Sequence, residues 1–272
     1  MAPHIDLPRG ESGQDALAVA RACARCAGEL LRQRFGGRHQ VQAKGRRDFV
    51  TQADVDVERE VVAILRAEFP HHRVISEETA ASPPQQDDAW SWVVDPLDGT
   101  HNFSRAIPHF CFSLALCRQG EPVLALTFDP LLGEEFVALR GGGAMLNGGS
   151  LRVSDAPSVA RSLVGLDLGY DDELAGRLLR RVVAMWPHML GIRLLGSAAL
   201  GLAYAACGRL DLYVHCNLKP WDVAAGILLV EEAGGLVVDW DGRPATLATN
   251  RVVAGAPQAV HDFLEHAQGQ GL

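Results

Sequence analysis

Apolar residues recur at helical spacing from Gln14 to Phe35, and the run stops at Gly36-Gly37, a C-capping signal. A polar, basic strip, VQAKGRRDFVTQAD, follows, and a second amphipathic helix is predicted from Asp54 to Phe69, ended by Pro70. HRVISEE reads as a short strand ending in acids and ASPPQQDDA as a polar loop. SWVVDPLDGTHNF is an apolar strand broken abruptly by Asp-Pro and Asp-Gly. From Cys111 onward, short β-rich runs alternate with turn signals at Gln119-Gly120, Asp129-Pro130 and Gly141 to Gly143, which predicts an antiparallel meander. From SLVGLDLG the pattern becomes strand–helix alternation. Helices are expected near Glu173 to Met185, after Gly196, over DVAAGILLVEEAGG and at the end, with strands at RLDLYVH, GLVVDW and RVVAGA. The first half thus reads α+β and the second α/β, with no internal repeat. A single unit spanning residues 1–272 is expected, its internal border near Asn147 to Ser154 separating subdomains of about 1–148 and 149–272.

Composition narrows the class. Of 272 residues, 48% are apolar and 21% charged, which excludes a disordered chain or a disulfide-stapled mini-protein. With 25 Lys and Arg against 33 Asp and Glu, the formal net charge is −8, so no nucleic-acid partner is expected. The opening MAPHIDLPRGESGQ does not read as a secretory signal, and no uninterrupted apolar run reaches the roughly 18 residues of a membrane span, so no membrane association is expected. Cys23 and Cys26 form a C-x-x-C inside a helical stretch with no second pair at zinc-finger spacing. Reduced structural thiols and a cytoplasmic location are therefore expected.

Four groups of acids look placed. In Asp95-Pro96-Leu97-Asp98-Gly99-Thr100, two carboxylates three residues apart flank a stiff proline at the end of an apolar strand. A buried carboxylate there needs a partner, and clustered carboxylate and carbonyl oxygens suit a hard cation such as Mg²⁺. Gly99 and Thr100 lead into a helical turn whose N–H groups can hold phosphate; an Asp-capped turn is the alternative. Ser76-Glu77-Glu78, Asp222 at the start of an apolar helix, and Asp48 to Asp54 are each explained alone by solvation or helix capping.

In order, D-F-V-T-x-x-D, S-E-E, W-x-x-D-P-L-D-G-T-x-N-F and P-W-D-V-A-A-G with E-A-G-G behind it resemble the inositol monophosphatase family of Mg²⁺-dependent, lithium-sensitive phosphatases. The resemblance spans nearly the whole chain and implies a layered αβαβα sandwich of the sugar-phosphatase type and a homodimer. It implies two to three Mg²⁺ ions held by Glu77, Asp95, the Leu97 carbonyl, Asp98 and Asp222. Thr100 and Asp54 match a pair that orients and deprotonates the attacking water, with Glu77 contributing to catalysis. Gly99 and Thr100 match the phosphate-binding N–H groups, Gly196-Ser197-Ala198 a turn lining the substrate pocket, and Lys44 a lysine that helps complete the site. The implied reaction is hydrolysis of myo-inositol monophosphate or a related small polyol phosphate by metal-activated water. Alternatives are a histidinol-phosphate phosphatase, a broad sugar-phosphate or fructose-bisphosphate phosphatase, and, from another class, a non-catalytic regulator acting through protein contact.

Family members acting on inositol phosphates usually carry a glutamate where this chain has His215. A histidine donates as well as accepts and can carry charge near neutral pH, so the substrate's polar rim is expected to differ; a structural histidine is the alternative. Asn217 to Asp222 resembles members that dephosphorylate histidinol phosphate, with Lys219 facing either a substrate anion or, preferably, solvent. His71-His72 are expected to be exposed, Trp90 and Trp92 to pack, and Gly141 to Gly143 to form a turn.

Overall fold

The computed structural model describes residues 6–37, 41–43, 45, 49–78 and 90–268. Helix α1 (Ala16–Arg34) is capped by Asp15, whose carboxylate accepts the Ala18 N–H. A short hairpin, β1 (Val41–Ala43) with β2 (Phe49–Thr51), leads into α2 (Gln52–Glu68). The predicted start of α2 at Asp54 is corrected here. Thr51 is the cap, and Asp54 is the third helical residue, reaching back to the Thr51 N–H in a capping box.

The first sheet has seven strands, in order β3 (Arg73–Ser76), β4 (Trp90–Asp98), β5 (Cys111–Arg118), β6 (Glu121–Asp129), β7 (Glu134–Leu139), β8 (Gly143–Leu146) and β9 (Gly149–Ser150). Only β3 and β4 run parallel; from β4 onward it is the expected meander. The one-turn helix α3 (Thr100–Ser104) follows β4. The second sheet has five strands in the order β11 (Gly191–Leu194), β10 (Leu163–Asp167), β12 (Leu212–His215), β14 (Val252–Gly255) and β13 (Leu236–Val238). Four helices belong to this half: α4 (Asp172–Met185), α5 (Ala198–Ala206), α6 (Pro220–Glu232) and α7 (Pro257–Gln268).

Strand alternation sorts side chains into the layers. Leu114, Leu116, Leu124 and Leu126 of the first sheet bury against α1 and α2. The opposite face, with Ala115, Ala125 and Phe136, meets α5 and α6, which also cover Tyr213, Val252 and Ala254 of the second sheet. Val164, Leu166 and Val214, on the second sheet's far side, pack under α4 and α7. The result is the expected αβαβα sandwich. Helix α5 and the middle of α6, Val223 to Val230, are apolar all round because they lie between two sheets. They approach so closely that a Cβ on Gly226 would stand 2.3 Å from Leu202 Cδ1. No described helix is long and apolar enough to cross a membrane.

The cysteines are free, and burial raises the Cys23 thiol to about 12, as expected of an inert structural thiol. His71 is exposed as expected, but His72 is not. Its ring stacks on Phe69 at 4.7 Å and on Trp90 at 5.9 Å, because the chain turns back at Pro70 to start β3. Arg181 of α4 is buried, with Nε and Nη2 unpartnered and the guanidinium 4.9 Å from the Phe263 ring. Burial lowers its pKa to about 10, so it remains charged at pH 7. An unpaired buried cation costs more than a single ring contact returns. Arg181→Met should therefore stabilise the fold by about 1 kcal/mol, read as a higher urea midpoint at unchanged slope.

Candidate active site

The site begins at an irregularity in β4. Opposite β5, Asp95 pairs with Ser113 and Asp98 with Cys111, so three steps on β4 face two on β5. In a regular strand, residues three apart point to opposite faces. The extra residue of this bulge, at Pro96-Leu97 where proline removes an N–H, turns both aspartates to the same side. Asp222, the third residue of α6, joins them. Asp95, Asp98 and Asp222 each offer an oxygen within 4.8 Å of one another. Glu77, just beyond β3, lines the same cavity with Leu97. Burial pushes the Asp95 carboxyl well up, and the charges of Glu77, Asp98 and Asp222 push it further.

Each acid is held by the backbone around it. Asp95 Oδ1 accepts the Leu97 N–H at 3.0 Å. Asp222 Oδ2 accepts the Lys219 N–H at 2.7 Å, as a first-turn acid does. Asp98 sits on the N-terminus of α5: it accepts the Ser197 hydroxyl, the Ala198 N–H at 3.2 Å and the Ala199 N–H at 2.8 Å. Ser197 and Ala198 line the cavity as expected, yet their donors serve Asp98. Burial raises the Asp98 carboxyl, and these three bonds oppose the rise.

The chemistry of this donor set fits a hard divalent cation. The grouped ligand atoms are all carboxylate oxygens. No lysine or arginine pairs with Asp95 or Asp98 among the described residues, which leaves mutual repulsion in a buried place. Bound Mg²⁺ would relieve it.

Thr100 and Asp54, 46 residues apart, meet directly: Thr100 Oγ1 lies 2.9 Å from Asp54 Oδ1 and 3.0 Å from the Leu97 carbonyl. Asp54 is fully buried, and its Oδ2 is taken by the Thr51 N–H at 2.8 Å and the Thr51 hydroxyl at 2.5 Å. Burial raises its pKa against these bonds. Gly99 caps α3 at φ +94, where a Cβ would meet the His109 carbonyl at 3.1 Å and the Gly196 carbonyl at 3.2 Å. Only glycine suits that backbone and that approach. The first-turn N–H groups of Gly99 and Thr100 have no acceptor within the helix, which leaves donors for an oxyanion.

These groups open into a cavity of about 470 Å³ between the sheets, at the carboxyl ends of β10 and β12. Its wall holds residues the sequence reading missed. Asp167 Oδ1 accepts the Leu195 N–H at 3.0 Å and the Gly196 N–H at 2.6 Å, and its Oδ2 accepts the Tyr213 hydroxyl at 2.8 Å. Burial pushes it up to about 6. Asn102 donates to the His109 and Leu195 carbonyls, both at 2.8 Å, tying α3 to the Gly196 turn. Buried Glu58 accepts the Ser76 hydroxyl and the Glu78 N–H, which fixes the segment carrying Glu77. A lone acid ending an apolar strand was the signal for Asp167; Glu58 gave none beyond lying on the inner face of α2.

His215 lines the cavity at the end of β12, but burial pushes its pKa down to about 3. The charge that a histidine can carry near neutral pH is thus disfavoured here, because burial penalises the imidazolium. Lys219 is exposed at the rim. Lys44 and Asp48 lie outside the described residues.

A layered αβαβα sandwich with a carboxylate cluster facing a cavity between its sheets defines a class of metal-dependent α/β proteins. The chain belongs to the inositol monophosphatase family, whose model matches residues 13–271. It is 37% identical over 257 residues to the Nus factor SuhB of Escherichia coli, covering 93% of this chain and 96% of that one. It is 36% identical to inositol monophosphatase 1 of Solanum lycopersicum, covering 96% and 98%. The solved structure of extragenic suppressor protein suhB from Bartonella henselae superposes with a TM-score of 0.88 at 33% identity, covering 94% and 99%.

Proposed function

We propose that the chain is a Mg²⁺-dependent, lithium-sensitive phosphomonoesterase acting on myo-inositol monophosphate or a related small polyol phosphate. One observation carries the reading: the Asp95, Asp98 and Asp222 oxygens converge beside the Thr100–Asp54 pair, at the mouth of a cavity of sugar-phosphate size. Glu77, Asp95, the Leu97 carbonyl, Asp98 and Asp222 would hold two to three Mg²⁺ ions. Bound there, the ions would offset the carboxylate charge, acidify a water and neutralise charge developing on the phosphoryl oxygens. The Gly99 and Thr100 N–H groups hold the phosphate. Thr100 Oγ1 takes a proton from the attacking water as it passes its own to Asp54 Oδ1, whose burial suits it to keep one. The water oxygen bonds to phosphorus as the P–O ester bond on the opposite side breaks, and the alkoxide leaves and takes a proton from solvent water to give the alcohol.

The test is phosphate release from inositol 1-phosphate, histidinol phosphate, fructose 1,6-bisphosphate and glycerol 2-phosphate, with Mg²⁺ and with chelator. Release that survives chelation refutes the metal-dependent reading. Turnover of inositol 1-phosphate no faster than glycerol 2-phosphate refutes the inositol assignment alone. The similarity to a Nus factor favours one second reading, a regulator working through protein contact. Chelator-independent binding to transcription proteins, without hydrolysis of any of these esters, would decide for it.

We also propose a homodimer. Val183, Trp186, Leu190 and Leu194 fall within one stretch from α4 to β11, an edge strand, and are 65%, 50%, 67% and 61% exposed. Apolar exposure of this density beside an open edge favours a second copy over water. Leu190→Asp should halve the mass seen in sedimentation equilibrium while leaving the circular dichroism spectrum unchanged.

A further inference from the structure

His215 is the last residue of β12, between Asp167 of β10 and Val252 of β14 in register, and is 6% exposed. Its Nδ1 lies 3.1 Å from the backbone nitrogen of Asn217. A backbone N–H only donates, so Nδ1 accepts. Burial keeps the ring neutral through the working pH range, so it carries one proton. With Nδ1 accepting, that proton is on Nε2. Nε2 has no partner among the described residues and is not sealed from solvent, and the residue lines the cavity. Asp167 beside it already receives three donors. The Lys219 ammonium stands at the same cavity's rim and is also donor-only.

Resting on the phosphatase reading above, we propose that His215 is a specificity-determining donor. Its Nε2–H reads the non-phosphate end of the substrate, selecting phosphomonoesters that present an oxygen acceptor there and rejecting those that present an ammonium. A hydroxyl or carboxylate oxygen receives the Nε2–H. An ammonium has no lone pair to offer and leaves the donor unpaired once the bound substrate has displaced its water, a strong ground on which a site rejects a ligand that lacks the matching group.

Two measurements test this. In ¹⁵N-histidine spectra of the whole protein, with and without Mg²⁺, His215 should show the Nε2–H tautomer and no titration between pH 5 and 8, approximate limits set by the usual histidine range. An Nδ1–H or charged ring overturns the proposal whatever the enzyme's activity. In kinetics, kcat/KM is compared for glycerol 3-phosphate, 3-phosphoglycerate and O-phosphoethanolamine. The ratio of either oxygen-bearing ester to the ammonium ester should fall about tenfold or more in His215→Glu, which replaces the donor by an acceptor. It should be largely kept in His215→Gln, whose amide still donates. An unchanged ratio in an active His215→Glu enzyme makes His215 a structural histidine. Absence of hydrolysis of every ester by the unaltered protein refutes the phosphatase reading instead, and the tautomer measurement still judges the donor.

Discussion

Asp95→Asn should abolish Mg²⁺-dependent phosphate release, lowering kcat/KM on the order of 10³-fold or more, beyond the loss usual for one electrostatic group. The position is central: its carboxyl feels Glu77, Asp98, Asp222 and Asp54 together. The same substitution should leave the metal-free fold more stable. A buried carboxyl whose folded pKa is raised holds its proton to higher pH than in the unfolded chain. The folded state therefore binds more protons there, and its stability falls as pH climbs above the ordinary value of 3.8. At pH 7 the metal-free parent bears that cost and Asp95→Asn does not. In chelator, the variant should melt about 2–4 °C higher for each kcal/mol relieved. With Mg²⁺ the order reverses, because binding stabilises only the chain with its ligands complete. Calorimetry with and without Mg²⁺ reads both effects. Near-normal turnover of Asp95→Asn, or an equal Mg²⁺ shift in both proteins, would remove Asp95 from the metal set.

Thr100→Val should lower kcat about 10²- to 10⁴-fold, the range for loss of a positioned proton-transfer group, with a smaller change in KM. Valine keeps the shape and removes the single hydroxyl that joins the cavity to Asp54 at 2.9 Å. Asp54 is fully buried and, among the described residues, Thr100 is the cavity-lining residue whose hydroxyl bonds to it. Thr100→Ser keeps the hydroxyl and should retain most of the rate. Initial rates at saturating Mg²⁺ decide it. Thr100→Val as fast as Thr100→Ser would show that the pair only braces the turn.

The meander, the helices of the second half and the order of the acidic motifs were legible in the chain because each rests on local periodicity or adjacency. Helix α2 was misplaced by two residues because Asp54 looked like a cap, whereas Thr51 does the capping and Asp54 completes the box. The hairpin β1–β2 and strand β11 were missed, being only three and four residues long with no clear alternation.

By itself the sequence determined which acids are candidates and that they come in the order the inositol monophosphatase family carries, since residue type and spacing carry that information. Only the tertiary structure decided what those acids do to one another. The bulge at Pro96-Leu97 turns Asp95 and Asp98 to one face, a register effect that needs the β5 partner strand. Asp98 meets the α5 N-terminus about a hundred residues away in the chain, and Asp167 at the end of β10 braces the Gly196 turn that follows the neighbouring strand β11. The state of His215 followed the same rule. Its residue type permits charge, but burial and one backbone N–H from Asn217 make it a neutral Nε2 donor, because desolvation and hydrogen bonding depend on neighbours brought by the fold.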